Sequence, residues 1–424
     1  MTQVLVEEKL AIKDEMFTSL IVDDMERAPV LIFSMKGGSG IEEIARQHPE
    51  AVVKFPVNIS TGLRDYEALN LLRRFPLNGK TMLRLSRVLV NVVNVALKYE
   101  ARSVEINPVV ITEDDSIVAA DCRITIDDYA VFRHPELGIT YARELDSPPT
   151  PLDLLAYSIE KNDYRGTFYF IQLERGFEKN KGYLGFHGAG GGGSMMSMDA
   201  IQRRGYKLAN FCDTSGNPPA SKVYRATRII LSQKNIDGYF GSGSGVASQE
   251  QIHSGRGLAK AFIEEHLSIP AVVRLGGNME EKAVEILQTY TKGVPAPVEG
   301  YTKDDSADFC AERMDKLLKE YKPTAKTEKP QVGLKKVDYE FESMTGKVQF
   351  QYDLCAQCSS KICIEACQTG ILKLENGKPV LAVTEEEAKK GKCTECLACE
   401  LECRMHGSKG CYVLLPIENL DTIS

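Results

Sequence analysis

The sequence lacks the features of membrane, secreted and nucleic-acid-binding proteins. No apolar run approaches the roughly 18–20 residues that a helix needs to cross a bilayer. The N-terminal segment MTQVLVEEKLAIKDEM has adjacent acidic residues and no cleavage site, so it is not a signal peptide. The net charge of −7 provides no basic field that would attract nucleic acid. We therefore expect a cytoplasmic protein with no membrane partner and no nucleic-acid partner.

The composition is otherwise that of a globular protein, except for its cysteines. The 424 residues are 43% apolar and 26% charged, and this length suits two or three domains of roughly 100–200 residues each. Nine of the twelve cysteines fall between positions 355 and 411. Clustered cysteines at short spacing in a cytosolic chain indicate metal or cluster ligation rather than disulfides.

The pattern of apolar residues divides the chain into five segments. Residues 1–135 alternate β-rich runs with a long amphipathic helix, TMLRLSRVLVNVVNVALKYE, and residues 136–181 form a Pro-punctuated connector. In residues 182–320, strands that end in small residues alternate with helices, which predicts a doubly wound parallel sheet with ligands at its carboxyl edge. The Lys, Pro and Thr residues of 321–340 predict an exposed linker, and residues 341–424 form a small cysteine-rich domain.

The clustered cysteines form two runs of four. The second run has the bacterial ferredoxin spacing C-x2-C-x2-C-x3-C, with Arg404 where proline is usual. In two-cluster ferredoxins the fourth cysteine of each run ligates the other cluster. The predicted ligands of two [4Fe–4S] clusters are therefore, for the first cluster, Cys355, Cys358, Cys363 and Cys403, and, for the second, Cys393, Cys396, Cys399 and Cys367. A pair of zinc sites with four thiolates each is the alternative, and Cys411 has no assigned role.

Two glycine-rich segments lead into predicted helices. They read GFHGAGGGGSMMSMD and FGSGSGVASQEQ. Such turns let backbone N–H groups and the helix dipole approach a phosphate or a carboxylate. A tight turn without a ligand is the alternative for each segment. The candidate cofactor-binding residues are Gly188 and Gly190 in the first segment and Ser244 and Gly245 in the second.

Several motifs in register resemble the β subunit of succinyl-CoA synthetase and its relatives. They span about residues 2–295 and read EINPVVI, GFHGAGGGG, ANFCDTSGN, GSGVASQEQ and VVRLGGN. The resemblance implies an α/β protein in which the C-terminal half of an ATP-grasp domain precedes a flavodoxin-like CoA-ligase domain. It also implies ADP-forming ligation of a carboxylic acid to CoA through a phosphohistidine. The fold expected overall adds a small α+β domain of the bacterial ferredoxin type at the carboxyl end.

The resemblance implies roles for individual residues. Asn107 and Asp121 match the Mg²⁺ ligands of the family, and hard oxygen ligands suit this ion. Glu105 matches the acid that faces the phosphohistidine at the nucleotide site. Glu7 and Glu15 match contacts to ATP or ADP at the hinge and the ribose. An Asn before Pro as a turn residue and a solvated Asp are the alternatives for the two metal ligands.

A further match concerns the CoA site. Ser244 and Gly245 begin the segment that matches the helix facing the phosphohistidine there. His187 replaces an Asn of the family close to this chemistry, and we expect it either to hydrogen-bond the acyl substrate or to carry phosphate. Ser248 stands where the family has an Arg, and the loss of that guanidinium removes a carboxylate partner. These differences indicate an acid other than succinate.

Two further departures concern missing parts of the family pattern. The chain begins at the strand that matches the hinge of the ATP-grasp domain, so we expect a separate N-terminal ATP-grasp chain to close over the nucleotide. No GHAGA loop with a phosphorylated histidine is present, so we expect an α-like CoA-ligase subunit to supply it.

The leading functional hypothesis is a β-like subunit of an ADP-forming acyl-CoA synthetase, fused to a two-cluster ferredoxin domain that serves a redox partner. A second hypothesis is an iron–sulfur oxidoreductase subunit in which nucleotide or CoA-ester binding gates electron transfer. A third is a scaffold module that delivers electrons to a CoA-ester enzyme. The intact Glu105, Asn107 and Asp121 favour the first hypothesis.

Overall fold

The computed structural model describes most of the chain in two compact units. The described residues are 6, 9–38, 46, 49–143, 148–161, 168–243, 245, 247, 250–323 and 331–420. The first unit comprises Met1–Ser147 and the second Pro148–Ser424. In the described part of the chain, no helix is both long enough and apolar enough to cross a membrane.

The first unit contains an antiparallel sheet. Its strands lie in the order β3-β2-β1-β4-β5, with β6 paired to β4. They are β1 (Ile12–Asp23), β2 (Ala28–Ser34), β3 (Val52–Pro56), β4 (Ala101–Thr112), β5 (Ile117–Ala119) and β6 (Cys122–Ile126). The two longest strands, β1 and β4, lie side by side at the centre of the sheet, so β4 presents its residues to β1 on one side and to β5 and β6 on the other.

Two helices pack on this sheet, α1 (Asp65–Leu72) and α2 (Gly79–Lys98). The side chain of Asn78 accepts a hydrogen bond from the Thr81 N–H at 2.8 Å and caps the start of α2. The buried residues of α2 recur at helical spacing and share one apolar core with β1 and β4. The long helix expected from the apolar spacing is therefore present.

The segment expected to be a connector, residues 136–181, is partly regular. It contains helix α3 (Pro151–Lys161) and strand β7 (Tyr169–Gln172). Thr150 and Asp153 form reciprocal bonds at the start of α3: the Thr150 N–H donates to Asp153 Oδ2 at 2.7 Å and the Asp153 N–H donates to Thr150 Oγ1 at 3.0 Å. This capping arrangement was readable in the sequence TPLD, whose apolar continuation LLAYSI predicts a helix.

The second unit is built on a five-stranded parallel sheet in the order β13-β12-β11-β8-β9. Its strands are β8 (Tyr183–His187), β9 (Lys207–Leu208), β11 (Gly238–Ser242), β12 (Ala271–Arg274) and β13 (Val298–Tyr301), while β10 (Asn210–Asp213) pairs with β7. The parallel sheet predicted from the strand–helix rhythm is therefore present.

Helices cover both faces of this sheet. One face packs against α4 (Gly191–Gln202) and α8 (Ala307–Glu320), and the other against α5 (Ala220–Ser232), α6 (Ile252–Glu264) and α7 (Glu280–Tyr290). Neighbouring residues of β11 show the alternation: Tyr239 lies in the core with α5 and α6, and Phe240 lies in the core with α4 and α8.

The cysteine-rich segment packs against the α5–α7 layer. It contains an antiparallel sheet in the order β14-β15-β18 and a hairpin of β16 and β17. Its elements are β14 (Tyr339–Glu342), β15 (Lys347–Phe350), α9 (Tyr352–Ala356), α10 (Ile362–Glu365), β16 (Leu372–Glu375), β17 (Lys378–Leu381), α11 (Glu385–Glu387), α12 (Ala398–His406) and β18 (Cys411–Leu414). Its apolar residues join the same core as α5–α7. Of the linker expected at 321–340, residues 324–330 lie outside the described residues, and Tyr339 already belongs to β14.

Candidate functional site

Three predicted site residues of the first unit lie together on β4 and beside β6. Glu105 and Asn107 are two residues apart on β4, and both are partly buried. Asp121 is exposed and directly precedes β6, and its carbonyl oxygen accepts a hydrogen bond from the Asn107 N–H at 3.2 Å. Arg123 of β6 lies opposite Glu105 in the register. The pairing of β4 with β6 therefore brings the predicted metal ligands next to each other.

The Asn107 side chain is held by the backbone of Gly38. Its Oδ1 accepts from the Gly38 N–H at 2.7 Å, and its Nδ2 donates to the Gly38 carbonyl at 3.3 Å. Gly38 has a φ of +90°, and a Cβ added there would lie 3.4 Å from Glu15 Oε2, so Glu15 lies beside the same turn. An amide oxygen has two lone pairs, so Oδ1 keeps one for a cation. Glu7 lies outside the described residues.

A cavity in the second unit opens where β8, β11 and β12 end. Its polar lining comprises His187, Thr214, Ser242, Gln251, Ser254 and Arg274. The carboxyl edge of a parallel sheet is where such folds bind ligands. We refer to it below as the sheet-edge cavity.

His187, the last residue of β8, is 7% exposed. Its Nδ1 lies 2.5 Å from the Tyr239 hydroxyl and its Nε2 lies 3.0 Å from the Thr214 hydroxyl. Burial lowers the pKa of His187 to about 4, so the ring is neutral near pH 7. A phosphate carrier needs a ring nitrogen free to attack, and both nitrogens are engaged. The geometry therefore favours hydrogen bonding over phosphate transfer for His187.

The N–H groups of Gly188 and Gly190 are used within the protein. Gly188 donates to the Cys212 carbonyl at 2.8 Å, and a Cβ at this position would lie 2.1 Å from Ser194 Oγ. Gly190, with a φ of +91°, donates to Asp213 Oδ1 at 2.9 Å. Both N–H groups thus have partners within the protein, and a role of these two glycines in cofactor binding stays a prediction. Since a helix leaves its first N–H groups without intrahelical partners, the donors available for an anion belong to the first turn of α4.

Arg274, at the end of β12, is a cation of the sheet-edge cavity that sequence reasoning missed. It donates to the carbonyl oxygens of Gly243 at 2.9 Å and Lys303 at 2.8 Å, while its buried Nε has no hydrogen-bond partner among the described residues. A Cβ on Gly245, whose φ is +74°, would lie 3.0 Å from Arg274 Nη2. Ser244 and Ser248 lie outside the described residues. The sequence did carry a signal for Arg274: it is the single charged residue of PAVVRLGG, and it stands at the end of a predicted strand, where ligands bind.

The cysteines predicted to hold the second cluster line one small cavity. Its wall includes Cys367, Cys393, Cys396 and Cys399. Between these cysteines, Glu395 and Leu397 adopt the left-handed conformation, with φ of +50° and +62°. Backbone that alternates in this way points successive N–H groups into an anion-binding concavity, as at many iron–sulfur sites.

The cysteines predicted to hold the first cluster also lie close together. Burial, reinforced by the negative charge of Cys403, raises the pKa of Cys363 to about 12 and that of Cys355 to about 11. Burial of Cys358 is outweighed by hydrogen bonds from Ser360, the Lys361 N–H and Ser408, which bring the pKa of this thiol down to about 7. The Lys361 N–H lies 3.4 Å from the Cys358 sulfur. This loop thus provides donors for a thiolate.

Cys411 lies at the start of β18 and is buried. Its thiol donates a hydrogen bond to the sulfur of Cys399, which lowers the pKa of Cys399. Cys411 is thus a hydrogen-bond partner of a predicted cluster ligand. Within the described ranges, no group of three or more His, Cys, Asp or Glu side chains has the arrangement of a site for a single metal ion.

A buried ion-pair network joins the cysteine-rich segment to α6, which sequence reasoning also missed. Lys260 is 1% exposed, and its Nζ lies 2.7 Å from Glu264 Oε1 and 2.7 Å from Glu400 Oε1. Burial alone would lower the pKa of Lys260, but the two carboxylates hold it above its ordinary value. Glu400 follows the predicted ligand Cys399 directly, so this network fixes α12 against α6.

The chain is similar to known proteins over most of its length. Residues 1–111 match the family model described as an ATP-grasp domain. The chain is 34% identical over 287 residues to the β subunit of the GDP-forming succinate–CoA ligase of Thermus thermophilus, covering 68% of this chain and 71% of the relative. It is 30% identical over 316 residues to the β subunit of the ADP-forming enzyme of Ignicoccus hospitalis, covering 74% and 76%.

Among solved structures, the ATP citrate lyase from Methanothrix soehngenii, in complex with citrate and coenzyme A, shares the fold. The two match with a TM-score of 0.59 and 20% sequence identity over 73% of each chain. The sequence comparison thus relates the body of this chain to succinate–CoA ligases, and the solved structure shows that the fold is shared. At these identities and coverages, the chain belongs to the β-subunit family of the succinate–CoA ligases, which are acid–thiol ligases.

Proposed function

We propose that this chain is the β-like subunit of an ADP-forming acyl-CoA synthetase with a fused electron-transfer segment. The reaction is carboxylate, CoA and ATP to acyl-CoA, ADP and phosphate. The observation that carries the proposal is the sheet-edge cavity, where the neutral His187, the guanidinium of Arg274 and Ala189 of the glycine-rich loop before α4 meet in a chain of this family. An α-like subunit supplies the phosphohistidine.

The ligase reaction proceeds in three balanced steps. The γ-phosphoryl group of ATP moves to the histidine of the α-like subunit and ADP leaves. A carboxylate oxygen of the acid takes that phosphoryl group, which gives an acyl phosphate and frees the histidine. The CoA thiolate then attacks the acyl carbon, and inorganic phosphate leaves with the electron pair of the broken C–O bond.

The residues of this chain act by positioning and by charge. The first turn of α4 offers N–H groups and a helix dipole to phosphate, and Arg274 Nε offers a further donor to a carboxylate or phosphate. His187, neutral and held by Tyr239 and Thr214, forms a fixed part of the cavity wall and adds no charge to it. At the nucleotide site, Glu105 would face the phosphohistidine and Glu15 would contact the nucleotide. Asn107 and Asp121 would hold Mg²⁺, which would neutralise charge on the phosphates.

Two [4Fe–4S] clusters are proposed for the cysteine-rich segment. The support is the cavity that gathers Cys367, Cys393, Cys396 and Cys399, the mutual proximity of the other four thiols, and the loop N–H groups aimed at sulfur. A bound [4Fe–4S] cluster accepts and releases single electrons. The segment would exchange these electrons with a redox partner.

The ligase proposal is tested with the purified complex that contains this chain. It is incubated with ATP, Mg²⁺, CoA and each of a panel of carboxylates that includes succinate and citrate. CoA-dependent release of ADP is expected with at least one acid, and omission of CoA is the control. If no acid elicits CoA-dependent ADP release, the ligase proposal is wrong.

The cluster proposal is tested by metal analysis after anaerobic purification. Two [4Fe–4S] clusters predict about eight iron and about eight sulfide per chain. Zinc in place of iron would support two thiolate zinc sites and contradict the electron-transfer assignment. Because this measurement does not depend on turnover, it is independent of the ligase assay.

A further inference from the structure

Helix α6 lies between the sheet-edge cavity and the cysteine-rich segment. Ser254 and Leu258, four residues apart, share the face of α6 that lines the cavity. Arg256 and Lys260, also four residues apart, lie on the other side of the helix. Lys260 binds Glu400 of α12 across this boundary. One helix thus presents one face to the ligand cavity and the opposite face to the cysteines.

The guanidinium of Arg256 is buried without enough partners. The residue is 7% exposed, and neither Nε nor Nη1 has a hydrogen-bond partner among the described residues. A buried charged donor without a partner loses its hydration without compensation, so native proteins rarely leave one unpaired. Lys260, one turn further along α6, is by contrast fully engaged by two carboxylates. Arg256 is therefore the cation on this face whose partner is unidentified.

The surroundings of Arg256 indicate what that partner is. Arg256 lies one turn before Lys260 on the same face of α6, and Lys260 binds Glu400, the residue that follows the predicted ligand Cys399. The guanidinium is also within electrostatic range of Cys396 and of Tyr290. Cys396 lines the small cavity with Cys367, Cys393 and Cys399. A group held by four thiolates carries negative charge, which a buried guanidinium would stabilise.

We propose that Arg256 is the cationic partner of the [4Fe–4S] cluster held by Cys367, Cys393, Cys396 and Cys399, and that it raises the reduction potential of that cluster. This inference rests on the proposed function of the cysteine-rich segment. Reduction adds negative charge to the cluster, so a fixed cation stabilises the reduced form more than the oxidised form. Helix α6 thereby influences the reduction potential of the electron-transfer site.

The test is a redox titration of the anaerobically purified protein, followed by electron paramagnetic resonance, for the unaltered chain, Arg256→Met and Arg256→Lys. In Arg256→Met we expect one of the two midpoint potentials to fall by about 59 mV, which corresponds to a tenfold change in the equilibrium constant of one-electron reduction. The other potential should stay in place. Arg256→Lys should recover most of the lost potential, because it keeps the charge.

Two controls make the result specific. Arg203→Met removes an exposed cation that pairs with Asp308 on the opposite side of the sheet, and it should move neither potential. In Cys396→Ser, the potential that Arg256 governs should disappear. If both potentials of Arg256→Met match those of the unaltered chain at full iron content, the proposal is wrong.

Loss of iron is also informative. If Arg256→Met loses half of its iron and Arg256→Lys retains it, the cation is needed to hold the cluster, and the proposal stands. If both variants lose the same iron, the arginine acts through packing and the charge assignment is overturned. If the unaltered chain has no iron, the proposed clusters fail, whatever the variants show.

Discussion

The sheet-edge cavity and the cysteine-rich segment differ in how far their polar groups have hydrogen-bond partners within the protein. At the cavity, both ring nitrogens of His187 and the N–H groups of Gly188 and Gly190 have partners within the protein. Beside the cysteines, the N–H of Lys361 points at a sulfur atom, and two buried N–H donors of Arg256 have no partner among the described residues. The cavity thus pairs most of its polar groups within the protein and leaves Arg274 Nε as a donor, whereas the region beside the cysteines directs several donors towards sulfur or leaves them for an anion.

This difference is the one expected between a site for a substrate and a site for a resident group. A substrate comes and goes, so the groups that form its site must be stable without it, and buried polar groups need internal partners. A resident cofactor is part of the folded state, so donors can be reserved for it. The two regions meet at α6, whose opposite faces belong to the two sites.

The largest effect should come from breaking the contact between the regions at Lys260. Lys260→Met leaves the buried Glu400 without its cation and leaves Glu264 with only the more distant Arg228, whose Nη1 lies 3.5 Å from Glu264 Oε2. Removing one partner of a buried ion pair costs about 3–5 kcal/mol, so we expect a loss of this size in the free energy of unfolding, measured in urea. Lys282→Met is the control, because the exposed pair of Lys282 with Glu285 is worth about 0–1 kcal/mol. Equal losses in the two variants would contradict the role of Lys260.

Sequence patterns predicted the helices and strands better than the contacts between distant parts. The spacing of apolar residues located α2, and the strand–helix rhythm located the parallel sheet, because both are local periodicities. The pair of Lys260 and Glu400 joins residues 140 positions apart, and no local pattern encodes such a contact. The structural use of the Gly188 N–H could not be anticipated either, because it depends on the carbonyl of Cys212 from a different strand.

A smaller effect should show that His187 is a neutral part of the cavity wall. Its pKa is about 4 in the folded protein, against an ordinary 6.5, because of burial. Between these values the unfolded chain binds the proton and the folded chain does not, so stability falls as the pH drops from 6.5 towards 4. From pH 7 to pH 5 this group should contribute a loss of about 2 kcal/mol.

The variant that isolates this contribution is His187→Asn, which removes the titrating group. We expect its free energy of unfolding to decrease less between pH 7 and pH 5 than that of the unaltered chain, by about 2 kcal/mol. Urea unfolding of both proteins at the two pH values gives the difference, in which all other titrating groups cancel. Parallel pH profiles would mean that folding does not lower the pKa of His187, and they would revive the alternative that this residue carries phosphate.

The smallest effect concerns communication between the two regions through α6. If CoA binds at the sheet-edge cavity, it contacts the face of α6 opposite Arg256, and a small displacement of the helix changes the distance from the guanidinium to the cluster. We expect saturating CoA to shift one midpoint potential by the amount that corresponds to an about fivefold change in the equilibrium constant of one-electron reduction. This size is at the low end of allosteric couplings. By linkage, reduction must change the affinity for CoA by the same factor, which calorimetry on oxidised and reduced protein measures. If the shift persists in Arg256→Met, the coupling does not pass through Arg256. If CoA shifts neither potential of the unaltered chain, the two regions are in contact but are not energetically coupled.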